Sequence, residues 1–358
     1  MAADRSVCSG GESEPCGKSC KKDAADASPH PLLEPGIAAL TTVLPIIDVA
    51  GLAGGEPEAL ARVARELGRA ARDVGFFYVV GHGIPAHLRA AVFAASDAFF
   101  ALPREAKAAL AIERVGDNRG WVGLATEALD PTTAPDPKEA FNIGFDAPGV
   151  AGRNVWPAVP GFRATMEAWF SAVFRLGLDL HRAVAVDLGA PADTFVAAFA
   201  EPMATLRLLH YPPVAAPGAE GLGAGAHTDY GNLTLLATDE VGGLEVMRRD
   251  GVWIAAPVVE DAFVVNIGDC LMRWSNDVYV SNPHRVVAPR DRVRRSVAFF
   301  LDASPEAIVA ALPSCVAPGE RPKHPPITAR EHLAARLAAS YAAALGEAGA
   351  IDAGPRGG

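Results

Sequence analysis

Between Leu206 and Leu301 the chain breaks into short apolar runs, closed by turn signals about every eight to twelve residues. That texture commits the stretch to a sandwich or barrel of short strands. Asp250-Gly251, set between Leu244–Val246 and Trp253–Ala256, is a tight-hairpin signal, because glycine adopts the positive φ that such turns require. Phe263–Ile267, Arg285–Ala288 and Val297–Leu301 supply further strands. Upstream the periodicity changes. Glu56–Asp73 carries Leu60, Val63, Ala64, Leu67 and Ala71 at helical spacing, and Pro85 opens a second helix that runs to about Phe100. A third helical pattern covers Phe162–Leu188, while Leu44–Ile47 and Phe76–Val80 read as short strands. Alanine-rich helical sequence returns over Thr328–Leu345.

Residues 1–42 hold Gly, Ser, Pro and charge without an apolar period, which predicts a disordered extension, and residues 347–358 read as a flexible tail. No linker interrupts 43–346. The reading is one α+β domain, mainly β, with a helical and strand part over 43–160, a β-rich core over about 200–305 and a closing C-terminal helix.

Three residues in the β-rich part carry chemistry. His227-Thr-Asp229 is followed, much later, by His284. In a strand spanning Leu222–Asp229, residues two apart point to one side, so His227 and Asp229 converge, and a distant strand delivers His284. Two imidazoles and one carboxylate occupy one face of an octahedral iron and leave three positions open. In a chain with nine histidines that pattern alone is weak. Arg294-Arg-Ser296 strengthens it, because Arg294 and Ser296 share a strand face and can grip a carboxylate.

The segments Leu206-Arg-Leu-Leu-His-Tyr-Pro-Pro213, His227-Thr-Asp-Tyr-Gly231, Asn282-Pro-His-Arg-Val286 and Arg294-Arg-Ser-Val-Ala-Phe-Phe300 resemble the iron- and 2-oxoglutarate-dependent dioxygenases of the isopenicillin N synthase-like group. Leu44-Pro-Ile-Ile-Asp48, Gly75–Pro85 and Pro137-Lys-Glu-Ala-Phe-Asn-Ile-Gly144 match too, so the resemblance covers about Leu44 to Leu345. It implies a double-stranded β-helix (jelly-roll) core. It also implies Fe(II) on His227, Asp229 and His284, with 2-oxoglutarate and O₂ as cosubstrates. Arg294, Ser296 and Tyr211 would hold the far carboxylate of 2-oxoglutarate. The implied reaction oxidises, by hydroxylation, a small organic molecule, with release of succinate and CO₂. His227–Leu236 together with Met272–Asp277 is similar to the microbial branch of fungal thymine 7-hydroxylases, which makes a thymine-like ring the leading substrate. An oxidase of the same fold that does without 2-oxoglutarate, and a non-catalytic 2-oxoglutarate or metal sensor, are the alternatives.

Arg207 shares a strand face with Leu209 and Tyr211 and points into the same cavity, where either a substrate or a structural acid must satisfy it. Phe300 lies on the Arg294/Ser296 face and either stacks a flat substrate or packs in the core. By resemblance, Phe141 and Asn142 edge the substrate pocket. Alternation turns His210 away from the cavity, and His82 and His181 read as structural. Gly221–Gly225 lacks the strand-before, helix-after setting of a phosphate loop.

Composition sets the outer bounds. A net charge of −10, without a basic patch interleaved with aromatics, argues against nucleic acid. No apolar run reaches the length of a membrane span, and no secretory h-region opens the chain, so the expectation is a cytoplasmic enzyme with no membrane or obligate protein partner. Cys8, Cys16 and Cys20 in the extension, and the solitary Cys270 and Cys315, read as free thiols.

Overall fold

A computed structural model describes residues 44–130, 134–146, 153–214 and 221–338. The extension over 1–42, with its three cysteines, and the tail over 347–358 lie outside the described residues. The elements follow in order: β1 (Ile46–Asp48), α1 (Pro57–Asp73), β2 (Phe76–Val80), α2 (Ala86–Phe100), α3 (Arg104–Ala108), α4 (Ile112–Val115), β3 (Gly120–Val122), β4 (Glu139–Gly144) and α5 (Phe162–Asp187). Then come β5 (Thr205–Tyr211), β6 (Leu222–His227), β7 (Leu233–Thr238), β8 (Leu244–Met247), β9 (Trp253–Ala255), β10 (Phe263–Ile267), α6 (Asp269–Trp274), β11 (His284–Val287), β12 (Arg294–Leu301), β13 (Ile308–Val309) and β14 (Ile327–Thr328). Residues 329–338 form a last helix, so the described part of the predicted Thr328–Leu345 helix is present.

Eight strands form a large sheet in the order β1-β2-β10-β7-β12-β5-β4-β3, and four form a small one, β6-β11-β8-β9. The two sheets face each other as the walls of the expected jelly roll. The N-terminal strands add to the same large sheet, with β1 and β2 at one edge and β3 and β4 at the other. The expected hairpin is there: Met247 pairs with Trp253 across a turn in which Gly251 has φ 81°.

Alternation along the large sheet divides the interior into two layers. On β12, Val297, Phe299 and Leu301 face the helices, and Phe299 meets Phe170 of α5 edge-on at 4.9 Å. Leu206 and Leu208 of β5 join that layer with Trp169, Val173 and Leu180 of α5. The other face of the sheet, carrying Leu209, Tyr211 and Ala298, packs with Ala224, Val246 and Val286 of the small sheet. The candidate site therefore lies between the sheets, backed by a helical layer. α5, 26 residues long, extends about 39 Å at 1.5 Å per residue and supports much of that layer. α1 crosses it closely at Gly68, where a Cβ would fall 1.9 Å from Asp187 Oδ1. Asp187 in turn binds Arg72 at 2.7 Å and the Tyr279 hydroxyl at 2.7 Å.

His181 and His82 are structural, as expected. His181 is buried in α5, where its Nδ1 donates to Gly177 O at 2.8 Å and its Nε2 faces the Asn232 amide at 3.3 Å. His82 accepts from the Ile84 N–H and contacts Asp261 O at 3.0 Å.

Candidate active site

His227 ends β6 and His284 begins β11, and the antiparallel register sets them directly opposite each other. Their rings lie 4.2 Å apart. The expected strand through Asp229 stops instead at His227, and the chain turns. Asp229 is held by its carbonyl, which accepts the Asp269 N–H at 2.8 Å. Its carboxylate still points inward, Oδ1 lying 3.9 Å from His227 Nε2 and 3.8 Å from His284 Nε2. Ligand atoms of the three residues all fall within 4.8 Å of one another.

The surrounding hydrogen bonds select the atoms left for a metal. His227 Nδ1 donates to Gly225 O at 2.8 Å, which fixes the tautomer and leaves the Nε2 lone pair facing Asp229. Asp229 Oδ2 accepts from Thr234 of β7 and from Asn266 of β10 at 2.8 Å, so Oδ1 is the oxygen left over. Burial, then the neighbouring His284, push the His227 imidazole down to about 4. Burial opposes ionisation of Asp229, yet the facing imidazoles and the Thr234 and Asn266 donors hold it below the usual carboxylate range. Neutral imidazole and ionised carboxylate are the forms that bind a cation. The donor set fits Fe(II).

Farther into the cleft, Arg294 of β12 is 1% exposed. Its Nε donates to Gly242 O at 2.6 Å and its Nη1 to Ser296 Oγ at 3.2 Å, and its guanidinium carbon lies 4.8 Å from the Tyr211 ring centre. Nη2 is buried without a partner. Buried donors are ordinarily satisfied, so this N–H group is available to an acceptor from outside the chain. Arg294, Ser296 and Tyr211 are thus brought together as expected, and the cradle fits the far carboxylate of 2-oxoglutarate. Gly242 and Gly243 have φ of 74° and 92°, which glycine adopts at no steric cost, and aim the carbonyl that anchors Arg294.

At the other end, Arg207 of β5 pairs with Glu127, from the loop between β3 and β4. Lys138 lies 3.7 Å from the same carboxylate. Asn142 of β4 is in register with Arg207, gives its amide N–H to Asn118 Oδ1 at 2.9 Å, and keeps a buried Oδ1 without a partner. Phe300 packs on the inter-sheet layer, in register with Thr205 and with Thr234, the donor to Asp229. Phe141 is a correction. It belongs to the helical layer, 4.5 Å from Phe99 and 5.7 Å from Phe162. Neighbours in a strand point to opposite faces, so Phe141 and Asn142 cannot both edge the cleft. His210 points away, stacked on Phe100 at 5.1 Å and 3.3 Å from Glu139.

Sequence reasoning missed several participants. Thr234 lies inside the His227–Leu236 segment but has no role assigned to it there, and Asn266 belongs to no motif. Glu127 sits in a loop without periodicity. Asp302 was within reach, because it continues the alternation Arg294, Ser296, Ala298, Phe300 by one step. Its Oδ1 lies 1.6 Å from where a Cβ on Gly231 would be, and burial, with the charge of Asp229, pushes its carboxyl up to about 7.

This geometry agrees with the comparisons. Residues 202–303 match the 2OG-Fe(II) oxygenase superfamily, and residues 44–159 match the non-haem dioxygenase N-terminal region named for morphine synthesis. The 2-oxoglutarate-Fe(II) type oxidoreductase hxnY of Emericella nidulans is 38% identical over 84% of this chain and 91% of its own. Homoarginine-6-hydroxylase 2-ODD-233 of rice is 35% identical over 83% of this chain and 97% of its own. The thymine 7-hydroxylase of Neurospora crassa, crystallised with α-ketoglutarate (2-oxoglutarate) and thymine, superposes with a TM-score of 0.76 at 34% identity, covering 85% of this chain and 99% of that one. The two facing sheets, the His-Asp-His cluster and these relatives identify the chain as a member of the 2-oxoglutarate- and Fe(II)-dependent oxygenase superfamily.

Proposed function

We propose that this oxygenase holds Fe(II) on His227, Asp229 and His284, anchors 2-oxoglutarate on Arg294, Ser296 and Tyr211, and acts on a flat nitrogen heterocycle of the thymine type. Bound Fe(II), 2-oxoglutarate and O₂ together supply the oxidising power to hydroxylate an unactivated C–H bond, releasing succinate and CO₂. The chain's own residues set which bond is presented.

The observation that carries the substrate side is the row of polar groups across β4 and β5. Arg207 offers N–H donors, Glu127 beside it offers a carboxylate, and Asn142 offers an amide oxygen with no partner of its own. A ring edge that alternates carbonyl and N–H complements such a row. Unpaired buried polar groups disfavour analogues that lack the matching atoms. Phe300 supplies an aromatic face for the ring, and the apolar inter-sheet layer excludes water. The Neurospora neighbour was crystallised with thymine, which supports the same reading.

The test is succinate release with thymine, with L-homoarginine and with no added substrate. Thymine should stimulate turnover above the substrate-free rate, and Arg207→Ala should lower product formed per succinate. Stimulation by homoarginine and not by thymine would replace the heterocycle with a cationic substrate. An unchanged product-to-succinate ratio in Arg207→Ala would remove Arg207 from substrate recognition.

A further inference from the structure

The turn carrying Asp229 has no regular structure of its own; other elements hold it. On one side α6 approaches so closely that a Cβ on Gly268 would fall 2.3 Å from Gly231 O. From there Gly268 N donates to Asn232 O at 2.9 Å, Asp269 N to Asp229 O at 2.8 Å, and Cys270 N to Gly231 O at 3.0 Å. On the other side sits the last helix, over residues 329–338. His332 Nε2 meets Tyr230 O at 3.1 Å. Arg336 donates from Nη2 to Thr228 Oγ1 at 3.1 Å, binds Asp269 Oδ2 through Nε at 2.7 Å, and lies over the Tyr230 ring at 5.3 Å. Thr228 Oγ1 in turn donates to Asp269 Oδ2 at 3.1 Å, which closes a three-membered ring of contacts.

Thr228 is the residue between His227 and Asp229. Its hydroxyl is engaged twice, as donor to Asp269 and as acceptor from Arg336. Thr228 is held on the side of α6 and the last helix, while its two neighbours turn toward each other, His227 Nε2 lying 3.9 Å from Asp229 Oδ1. We infer that Arg336 is a positioning residue for the metal centre: the C-terminal helix, through Arg336, Asp269 and Thr228, sets the geometry of the His227–Asp229 pair. Arginine suits this role because its rigid planar fork presents separate N–H donors to a hydroxyl and a carboxylate in a fixed geometry, whereas an ammonium is a compact point donor on a flexible stem.

This inference rests on His227 and Asp229 being iron ligands, and the experiment separates the two claims. Fe(II) affinity is measured anaerobically by equilibrium dialysis for the full-length wild type and the variants His227→Ala, Arg336→Ala, Arg336→Lys, Thr228→Val and Arg336→Ala/Thr228→Val. Thermal melting and amide exchange of the metal-free proteins are recorded alongside. Loss of a partner that orients ligands weakens metal binding by about 10- to 100-fold. Arg336→Ala should fall in that range, with faster exchange confined to residues 228–232, and Arg336→Lys should recover only part of the loss. The double variant should lose little beyond either single one, because both act through one contact. Affinity for Fe(II) within about twofold of wild type in a folded Arg336→Ala protein, where tenfold corresponds to 1.4 kcal/mol, would overturn the role. So would additive losses in the double variant. Undiminished binding in His227→Ala would instead overturn the ligand assignment itself.

Discussion

The two arginines that face the inter-sheet cleft are held in opposite ways. Arg294 is almost wholly buried, tied to a backbone carbonyl and a hydroxyl, and left with one N–H group unmatched. Arg207, on the adjacent strand β5 and less deeply buried, is already paired with Glu127, whose carboxylate Lys138 also approaches. With the roles proposed above, a pocket that receives the same dianion in every turnover can keep a fixed donor waiting. An end proposed to meet the substrate keeps an internal partner instead, which an incoming molecule would have to match or displace. On that proposal the difference would separate a cosubstrate anchor from a selectivity filter on one sheet.

The largest effect comes from the feature that both ends share. Asp229→Ala removes the oxygen facing both imidazoles, and should abolish Fe(II) binding and turnover, as should His227→Ala and His284→Ala; metal analysis after anaerobic loading checks this. Full activity in any of the three would sink the metal assignment. Next, Arg294→Ala should raise the 2-oxoglutarate Michaelis constant by about thirtyfold or more, since truncating a buried charged contact typically costs about 2–5 kcal/mol. Lys at this position should restore only part of the affinity, lacking the planar fork. Arg207→Ala should leave 2-oxoglutarate binding nearly intact and weaken productive substrate binding by about 1–3 kcal/mol, read as succinate formed without product.

The smallest effect on the reaction comes from His181, which is more deeply buried than His227 and lies outside the His-Asp-His cluster. Burial pushes its imidazole down to about 4 from an ordinary value of 6.5. The unfolded chain then takes up a proton that the folded one refuses, so stability falls as pH drops from about 6.5 toward 4, by about 3 kcal/mol in all. Urea midpoints across that range should fall less steeply in a folded His181→Gln variant. An equal slope would mean that His181 is not the group responsible.

Much of this was legible in the sequence because periodicity exposes it. Phe76–Val80, Phe263–Ile267, the Asp250-Gly251 hairpin and α5 are read within a residue or two, whereas β12 begins three residues before the predicted Val297 and β7 is not read at all; the His227/Asp229/His284 cluster follows from strand alternation and register. β4 shows where that legibility ends. All six of its residues are buried, since the sheet is covered on both faces there, and a strand buried on both sides carries no polar alternation to say that Asn142 and not Phe141 faces the cleft. Glu127 and Arg336 reach the site from a loop and a terminal helix, joined to Arg207 and Thr228 by contacts that only the tertiary fold creates.

The division of labour between the two arginines is tested most directly by titrating 2-oxoglutarate anaerobically into the Fe(II)-loaded protein. The visible charge-transfer band would be followed in wild type, Arg294→Ala and Arg207→Ala side by side. The midpoint should shift about thirtyfold or more for Arg294→Ala and less than about threefold for Arg207→Ala, on the scale of tenfold per 1.4 kcal/mol. Equal shifts in the two variants, or an unmoved midpoint in Arg294→Ala, would contradict that division.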